Sequence, residues 1–279
     1  MEKRIDLHVH SNASDGTYTP TELVEYAVKK GLAAMALTDH DTVDGVEEAR
    51  RAAEGTELLL IPGVELSAEY RGRDIHILGL RLNDQSKQLL SYLRVFKAAR
   101  DERNERMAER LTEYKMPVTV EELKEEYGDA VLTRAHFAKL LKKKGYVQSY
   151  EEAFARFLGD DKPCYVPRKR ITPEDAIELI HEAEGVAVLA HPLLYHMGQE
   201  ELELLTARLK GCGLDGMEAI YSMNKGQDER RMKELAGKYG LLITGGSDFH
   251  GATKPHIDLG TGQGRLFVPA GLLEKVLAN

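Results

Sequence analysis

The chemistry of this chain is concentrated in its histidines, which stand beside carboxylates. Six of the ten fall in or near short motifs: Asp6-Leu7-His8-Val9-His10 followed by Ser14-Asp15-Gly16, then Thr38-Asp39-His40-Asp41, then His76 after Pro62-Gly63-Val64-Glu65, then Ala190-His191-Pro192, and last Gly246-Ser247-Asp248-Phe249-His250. Alternate residues of a strand face one side, so His8 and His10 project together, as two ligands of one ion must. A lone histidine or a single His-x-His pair is a weak signal; the set is a strong one. Six imidazoles and the carboxylates Asp15, Glu65 and Asp248 would be costly to bury together without compensation, and metal ions supply it. The donors are nitrogen and oxygen without thiolate, which suits manganese, iron or zinc. Nine ligands exceed one ion, so two or three divalent ions are expected, with Glu65 as the natural bridge. Such a site stays positive against three carboxylates, attracts a phosphate dianion and activates water as a hydroxide nucleophile. Asp15, His40, Glu65, His191, Asp248 and His250 are the members expected to carry catalysis. Asp39 and Asp41 could orient imidazoles or cap helices. His196 and His256 are candidate proton donors to a leaving group, and His181 reads as a solvated helix residue.

These motifs need a scaffold. Short apolar runs at 4–10, 33–38, 58–64, 75–80, 186–190, 217–220 and 241–244 predict strands buried on both faces. Helical patterns lie between them. The one at 20–30 starts at Thr19-Pro20-Thr21-Glu22 and stops at Gly31; the one at 173–184 has Thr172 before it and Gly185 after it. This alternation predicts an α/β sheet closing into a barrel. Barrel active sites sit at the C-terminal strand ends, where His8, His10, His40, Glu65, His191, Asp248 and His250 fall. His76 sits near the start of its strand; a hairpin over 66–80, turning at Arg71-Gly72-Arg73, would return it to that rim. No strand pattern appears between 86 and 157. Residues 1–85 and 158–279 are therefore expected to form the barrel, and 86–157 a helical insertion covering the active site. Within it, the charged run from Arg100 to Arg110 reads as a solvated helix face.

Composition sets limits. A chain of 279 residues with 42% hydrophobic content suits a barrel. No apolar run reaches the ~18 residues of a membrane span, and the opening residues lack a signal-peptide core, so a cytoplasmic location is expected. Cys164 and Cys212 are too far apart for a metal pair and read as reduced thiols. A net charge of −8 argues against an extended nucleic-acid surface, leaving room for a local phosphate pocket charged by metals.

The strings DLHVHSNASDG, ALTDHDT, PGVEL, HILGL, AHP and GGSDFH, in this order along nearly the whole chain, resemble the polymerase and histidinol phosphatase (PHP) family of metallo-phosphoesterases. The nearest likeness is to its nucleotide-phosphatase branch, which carries a helical insertion. The resemblance implies a distorted seven-stranded β/α barrel with two or three metals. It implies one metal on His8, His10, Glu65 and Asp248, a second on Glu65, His76 and His191, and a third on Asp15, His40 and His250. It also implies that Arg134 and His136, in Arg134-Ala135-His136-Phe137, reach the substrate phosphate, and that Lys162 and Tyr165 lie near the substrate. Arginine suits that task because its fork matches phosphate oxygens. One segment departs from the pattern: relatives often carry a His- and Pro-containing loop where this chain has Tyr221-Ser222-Met223-Asn224. The expected reaction is hydrolysis of a phosphomonoester by metal-activated hydroxide. The expected substrate is a small phosphorylated molecule: a mononucleotide, a 3′,5′-bisphosphate nucleotide or a short RNA end. The alternatives are a histidinol-phosphate phosphatase and a non-catalytic metal-binding module that partners a polymerase.

Overall fold

The computed structural model describes residues 3–160, 162–167 and 171–278. The chain divides into two compact units, Met1–Ser91 with Arg170–Asn279, and Tyr92–Lys169.

The first unit is built on one sheet. Its strands are β1 (Arg4–Val9), β2 (Leu32–Leu37), β3 (Leu59–Tyr70), β4 (Arg73–Leu80), β5 (Val186–Leu189), β6 (Gly216–Tyr221), β7 (Leu242–Gly246) and β8 (Val268–Pro269). They lie in the order β7-β6-β5-β4-β3-β2-β1-β8. The pairs β1–β2, β2–β3, β5–β6 and β6–β7 are parallel; β3–β4, β4–β5 and β1–β8 are antiparallel. Beyond the strands, the His10 N–H donates to Phe249 O at 3.0 Å and the Asp248 N–H to His8 O at 2.8 Å. These bonds join the β1 and β7 ends and nearly close the sheet into a barrel. Alternation along β1 sends Ile5 and Leu7 into a core with Ala34, Ile61, Leu78 and Val188, leaving Asp6 and His8 on the opposite face.

The α/β barrel expected from the sequence is the observed architecture, with eight strands rather than seven. The eighth has only two residues and pairs with β1 at the chain's far end, too short to leave a periodic signal. β3 runs to Tyr70, six residues past the expected end at 64, because it continues into the anticipated hairpin. That hairpin turns at Arg71 (φ 52°) and Gly72 (φ 78°), two left-handed residues whose twist matches the strands they join. It reverses β4 and so puts His76, near the start of β4, at the rim.

The helices of this unit that precede the second one are α1 (Pro20–Lys29) and α2 (Val46–Ala53). Thr19 forms a capping box with Glu22 at the start of α1. Within or reaching the second unit are α3 (Lys87–Glu113), α4 (Val120–Tyr127), α5 (Arg134–Lys143) and α6 (Tyr150–Ala153). Then follow α7 (Pro173–Glu182), α8 (Gln199–Gly211), α9 (Asp228–Lys238) and α10 (Gly271–Ala278). Thr172 caps α7, as anticipated. His181 near its end is exposed but bonded, its Nε2 lying 2.8 Å from Asp215 Oδ2.

The second unit has its own core of Met107, Leu111, Leu123, Phe137, Leu141 and Cys164. Its end at 169 lies past the expected 157 because Leu158, Cys164 and Val166 continue that core. The run from Arg100 to Arg110 is not a wholly solvated face. Arg100 and Arg103 are buried along with Asn104 and Met107, the stripe that α3 turns inward. Cys164 and Cys212 are free thiols, the first buried and the second exposed. No helix among the described residues is long and apolar enough to cross a membrane.

Candidate metal centre

The nine side chains singled out by motif converge, although they come from six separate stretches of the chain. Glu65 lies at their middle. Its Oε2 is 3.3 Å from His8 Nε2, 3.2 Å from His10 Nε2 and 3.1 Å from His40 Nδ1. Its Oε1 is 2.7 Å from His76 Nδ1 and 2.9 Å from His191 Nε2. One carboxylate thus faces five imidazoles. Asp248 Oδ1 lies 3.4 Å from His10 Nε2 and 3.3 Å from His250 Nδ1. Asp15 Oδ1 lies 3.2 Å from His250 Nε2. Among the described residues, four groups bring their ligand atoms within 4.8 Å of one another: His10, Asp15, His40 and His250; His8, Glu65 and His191; His8, His10 and Asp248; and His40, Glu65 and His76. The first holds the whole trio of Asp15, His40 and His250. His76 and His191 fall in different groups, both with Glu65.

The backbone is bent to make this possible. Asp41 (φ 52°), His191 (φ 25°) and Asp248 (φ 56°) all occupy the left-handed region two to four residues past a strand end, a conformation costly for residues with a Cβ and concentrated at functional sites. Gly246 lets β7 pass close to β1: a Cβ there would stand 2.4 Å from the Cβ of His8.

The electrostatics of the cluster are those of a site built for cations. His8 Nε2, both nitrogens of His10, His40 Nδ1, His191 Nδ1 and Glu65 Oε2 are buried without a hydrogen-bond partner. Buried polar atoms are almost always satisfied, so this many together at one point fits a set of metal ligands. Burial opposes ionisation of Glu65, but His40, His76 and His8 hold its carboxyl well below the usual range. Asp248 is held low against burial by Lys254 and His250, and Asp15 by His250 and His40. Among the imidazoles, burial pushes His40 down to about 3 and lowers His250. At His10 and His76 burial is outweighed by neighbouring carboxylates, chiefly those of Asp248 and Glu65, which raise them to about 9 and about 10.

An outer layer, not anticipated from the motifs, holds the ligands. Glu218, on β6, is buried; its Oε1 is 3.0 Å from His8 Nδ1, and its Oε2 accepts the His191 N–H at 2.7 Å. A glutamate inside the apolar run Met217–Ile220 was the one available signal. Tyr221 donates its hydroxyl to Asp248 Oδ2 at 2.7 Å, and Lys254 Nζ reaches the same oxygen at 2.7 Å. With Oδ2 engaged, Oδ1 is turned to the histidines. Asp6 accepts N–H groups from Ser247 and Gly260, both at 2.8 Å. Asp39 neither orients an imidazole nor caps a helix. It takes the Ser11 N–H, the Ser11 hydroxyl and the Ser14 hydroxyl, shaping the loop that delivers Asp15. Asp41 bonds the Ser67 N–H and hydroxyl. A cavity of about 220 Å³ opens beside the cluster, lined by His40, His76, His191, Asp248 and Lys254 among others. Its lining does not include His196 or His256, both exposed.

Arg134, His136, Lys162 and Tyr165 belong to the second unit. There Arg134 Nη1 pairs with Asp160 Oδ1 at 2.7 Å and donates to Leu158 O at 3.2 Å, while its guanidinium lies over the Tyr165 ring, 5.3 Å from the centroid. His136 is buried and its Nδ1 accepts the Thr133 N–H at 2.9 Å, so that nitrogen serves the start of α5. Lys162 is exposed and Tyr165 half-buried.

A nearly closed α/β barrel with a histidine–carboxylate cluster at its strand ends defines a class, the metal-dependent phosphoesterases, which are hydrolases acting on phosphate esters. Comparison with known proteins narrows it: residues 6–162 match the PHP domain, and the chain belongs to the PHP family. The chain is 39% identical over 251 residues to a 5′-3′ exoribonuclease of Haemophilus influenzae, covering 90% of this chain and 91% of that one. It is 33% identical over 257 residues to a 3′,5′-nucleoside bisphosphate phosphatase of Chromobacterium violaceum, covering 92% and 90%. A crystal structure of a protein from Bifidobacterium adolescentis, assigned as a metal-dependent phosphoesterase, superposes with a TM-score of 0.87 at 31% identity, covering 99% and 96%.

Proposed function

We propose that this enzyme removes phosphate from nucleotides, with a mononucleotide, a 3′,5′-bisphosphate nucleotide or a short RNA end as substrate, and that His8, His10, Asp15, His40, Glu65, His76, His191, Asp248 and His250 hold two or three divalent ions. The observation that carries the reading is the Glu65 carboxylate, buried among five imidazoles whose nitrogens are in part unpartnered. The nitrogen and oxygen donor set suits manganese, iron or zinc. When bound, such ions polarise a phosphoryl oxygen and lower the pKa of water from 15.7 towards ~7.

The chain's own residues do the rest. Glu218 keeps the proton of His8 on Nδ1, leaving Nε2 as a donor lone pair. Tyr221 and Lys254 hold Asp248 so that one oxygen serves the centre. The ammonium of Lys254 lines the cavity, where it adds positive charge opposite a phosphate. Arg134 is the residue proposed to grip the phosphate with its forked donors, exchanging its pairing with Asp160 for the substrate. A cavity of about 220 Å³ is smaller than the roughly 300–1,000 Å³ typical of sites for drug-sized ligands, which favours attack on a terminal phosphate over enclosure of a whole oligonucleotide. The nucleotide preference draws on the two named relatives, one acting on RNA and the other on a bisphosphate nucleotide.

The test is a phosphate-release panel over mononucleotides, bisphosphates, short oligonucleotides and histidinol phosphate, with metal content measured on the same sample. Preferred turnover of histidinol phosphate overturns the nucleotide reading. Metal binding without turnover of any ester makes the protein a binding module. Activity that survives verified metal removal defeats the role given to the nine ligands. Arg134→Ala should raise KM more than it lowers kcat, and an unchanged KM removes its phosphate contact.

A further inference from the structure

Two of the candidate ligands face one oxygen of Glu65 and hang from neighbouring strands. His76 Nδ1 and His191 Nε2 lie 2.7 Å and 2.9 Å from Glu65 Oε1. The first belongs to β4, and the second stands two residues past the end of β5. These strands pair antiparallel, with Ile77 opposite Leu189, so the next step of the ladder sets His76 opposite Ala190. One bond of that step is regular: the Ala190 N–H donates to His76 O at 3.1 Å. In a regular antiparallel pair of this kind the two residues exchange both bonds, and the His76 N–H would return to Ala190 O. It donates instead to the hydroxyl of Tyr195 at 3.3 Å, and that hydroxyl donates to Ala190 O at 2.5 Å. One oxygen atom therefore stands in the ladder where a direct bond would be, beside both ligands.

Tyr195 is fixed in that place. It ends a short 3₁₀ turn, Pro192–Tyr195, that begins directly after His191, and it is buried. Its ring lies edge-on to that of His191, with the centroids 5.9 Å apart. Its carbonyl accepts from Arg73 Nη1 at 3.2 Å, and Arg73 in turn pairs with Glu201 at 3.2 Å. Arg73 is the first residue of β4, so the tyrosine is tied to that strand at both ends, by its carbonyl at Arg73 and by its hydroxyl at His76. The backbone at His191 carries a φ of 25°, a conformation that persists only where the surroundings impose it. A tyrosine kept only for packing needs one acceptor for its hydroxyl. This one links a donor on one ligand strand to an acceptor on the other.

We propose that Tyr195 is a positioning residue, its hydroxyl a wedge that sets the spacing of His76 and His191 around the ion they share with Glu65. The inference rests on the nine-ligand reading above and deepens it, since it singles out one ion of the set. The hydroxyl binds the backbone of His76 and Ala190 and not the imidazoles, so it acts on that ion through the two strands. The other ligand groups lie outside its reach.

The experiment strips the full chain of metal, reloads it with manganese and compares wild type with Tyr195→Phe. Chelator competition gives the affinity of each ion in turn, and elemental analysis gives the number bound. His76→Ala, run in parallel, marks the step that belongs to the ion concerned. Tyr195→Phe should weaken that ion about 10- to 100-fold, the range for groups that orient metal ligands, and leave the other steps at wild-type affinity. Turnover should fall at limiting manganese and return at saturating manganese. Wild-type affinity at every step overturns the inference, and so does an equal loss at all steps, which a general weakening of the barrel would give. A turnover defect that persists with every ion in place also overturns it, because Tyr195 then acts on the substrate and not on the ligands. Where circular dichroism shows Tyr195→Phe to be unfolded, Arg73→Ala takes its place. Loss of the tether on the Tyr195 carbonyl should weaken the same ion by about two- to tenfold, and unchanged affinity overturns the proposal. Wild type that binds no divalent ion defeats the nine-ligand reading and the wedge together, an outcome distinct from full binding by both proteins.

Discussion

Glu218→Gln is the sharpest perturbation of the metal centre, because it keeps the shape of a buried side chain and turns one hydrogen-bond acceptor into a donor. In the native protein both carboxylate oxygens accept: Oε1 from His8 Nδ1 at 3.0 Å and Oε2 from the His191 N–H at 2.7 Å. An amide has one accepting end. Turned towards His8, it sets its NH₂ against the His191 N–H, leaving a buried backbone donor unmet. Turned the other way, it donates to His8 Nδ1 and moves the imidazole proton to Nε2, the atom aimed at Glu65 and Asp248. Either outcome costs about 1–3 kcal/mol, which is roughly 5- to 150-fold in an equilibrium constant. This agrees with the 10- to 100-fold loss usual when the partner of a metal-binding histidine is changed. The assay is metal affinity by chelator competition, with metal stoichiometry by elemental analysis and turnover on the best substrate of the panel. Thermal unfolding of the metal-free variant shows whether the barrel survives. A variant that folds, binds metal as tightly as wild type and turns over as fast would refute the role given to Glu218.

Three further outcomes are expected. Gly246→Ala places a methyl group 2.4 Å from His8 Cβ and 2.6 Å from its backbone nitrogen, so β1 must shift; thermal unfolding should show lower stability and elemental analysis less bound metal, and a native metal content would be inconsistent with this packing. Asp248→Asn removes a ligand charge that Lys254 and Tyr221 hold in place, and kcat should fall by at least ~10²-fold while circular dichroism stays native; full activity would exclude Asp248 as a ligand. In the metal-free protein carboxylates raise His10 to about 9 and His76 to about 10. Their pairing stabilises that form fully below the ordinary histidine value of 6.5 and is lost as pH rises through 9 to 10. Metal needs neutral imidazoles, so loading at pH 7 should release protons and tighten as pH rises. Calorimetric titration in buffers of different ionisation enthalpy reads this directly, and zero proton release would contradict it.

How much of the site could be read along the chain depended on distance along it. His8 and His10 share a face by strand alternation, and Asp248 and His250 follow one strand end. The turn at Arg71-Gly72 and the caps at Thr19 and Thr172 rest on the conformational preferences of adjacent residues. Each of these is set by neighbours a few positions apart, and each was legible. Arg100 and Arg103 show the limit of the same reasoning: a charged run gives no sign of which side of a helix turns inward.

By itself, then, the sequence determined the strand–helix alternation, the hairpin that reverses β4 and the set of candidate donors, because local backbone geometry and residue chemistry need no partner to act. Only the tertiary structure decided that one carboxylate, Glu65, faces five imidazoles, that Glu218, 210 residues away along the chain, meets His8 at 3.0 Å, and that Asp39 shapes a loop instead of serving its neighbour His40. It alone paired the two-residue β8 with β1. Those pairings arise when the sheet curls until its ends meet, and residues far apart in the chain then become neighbours through closure.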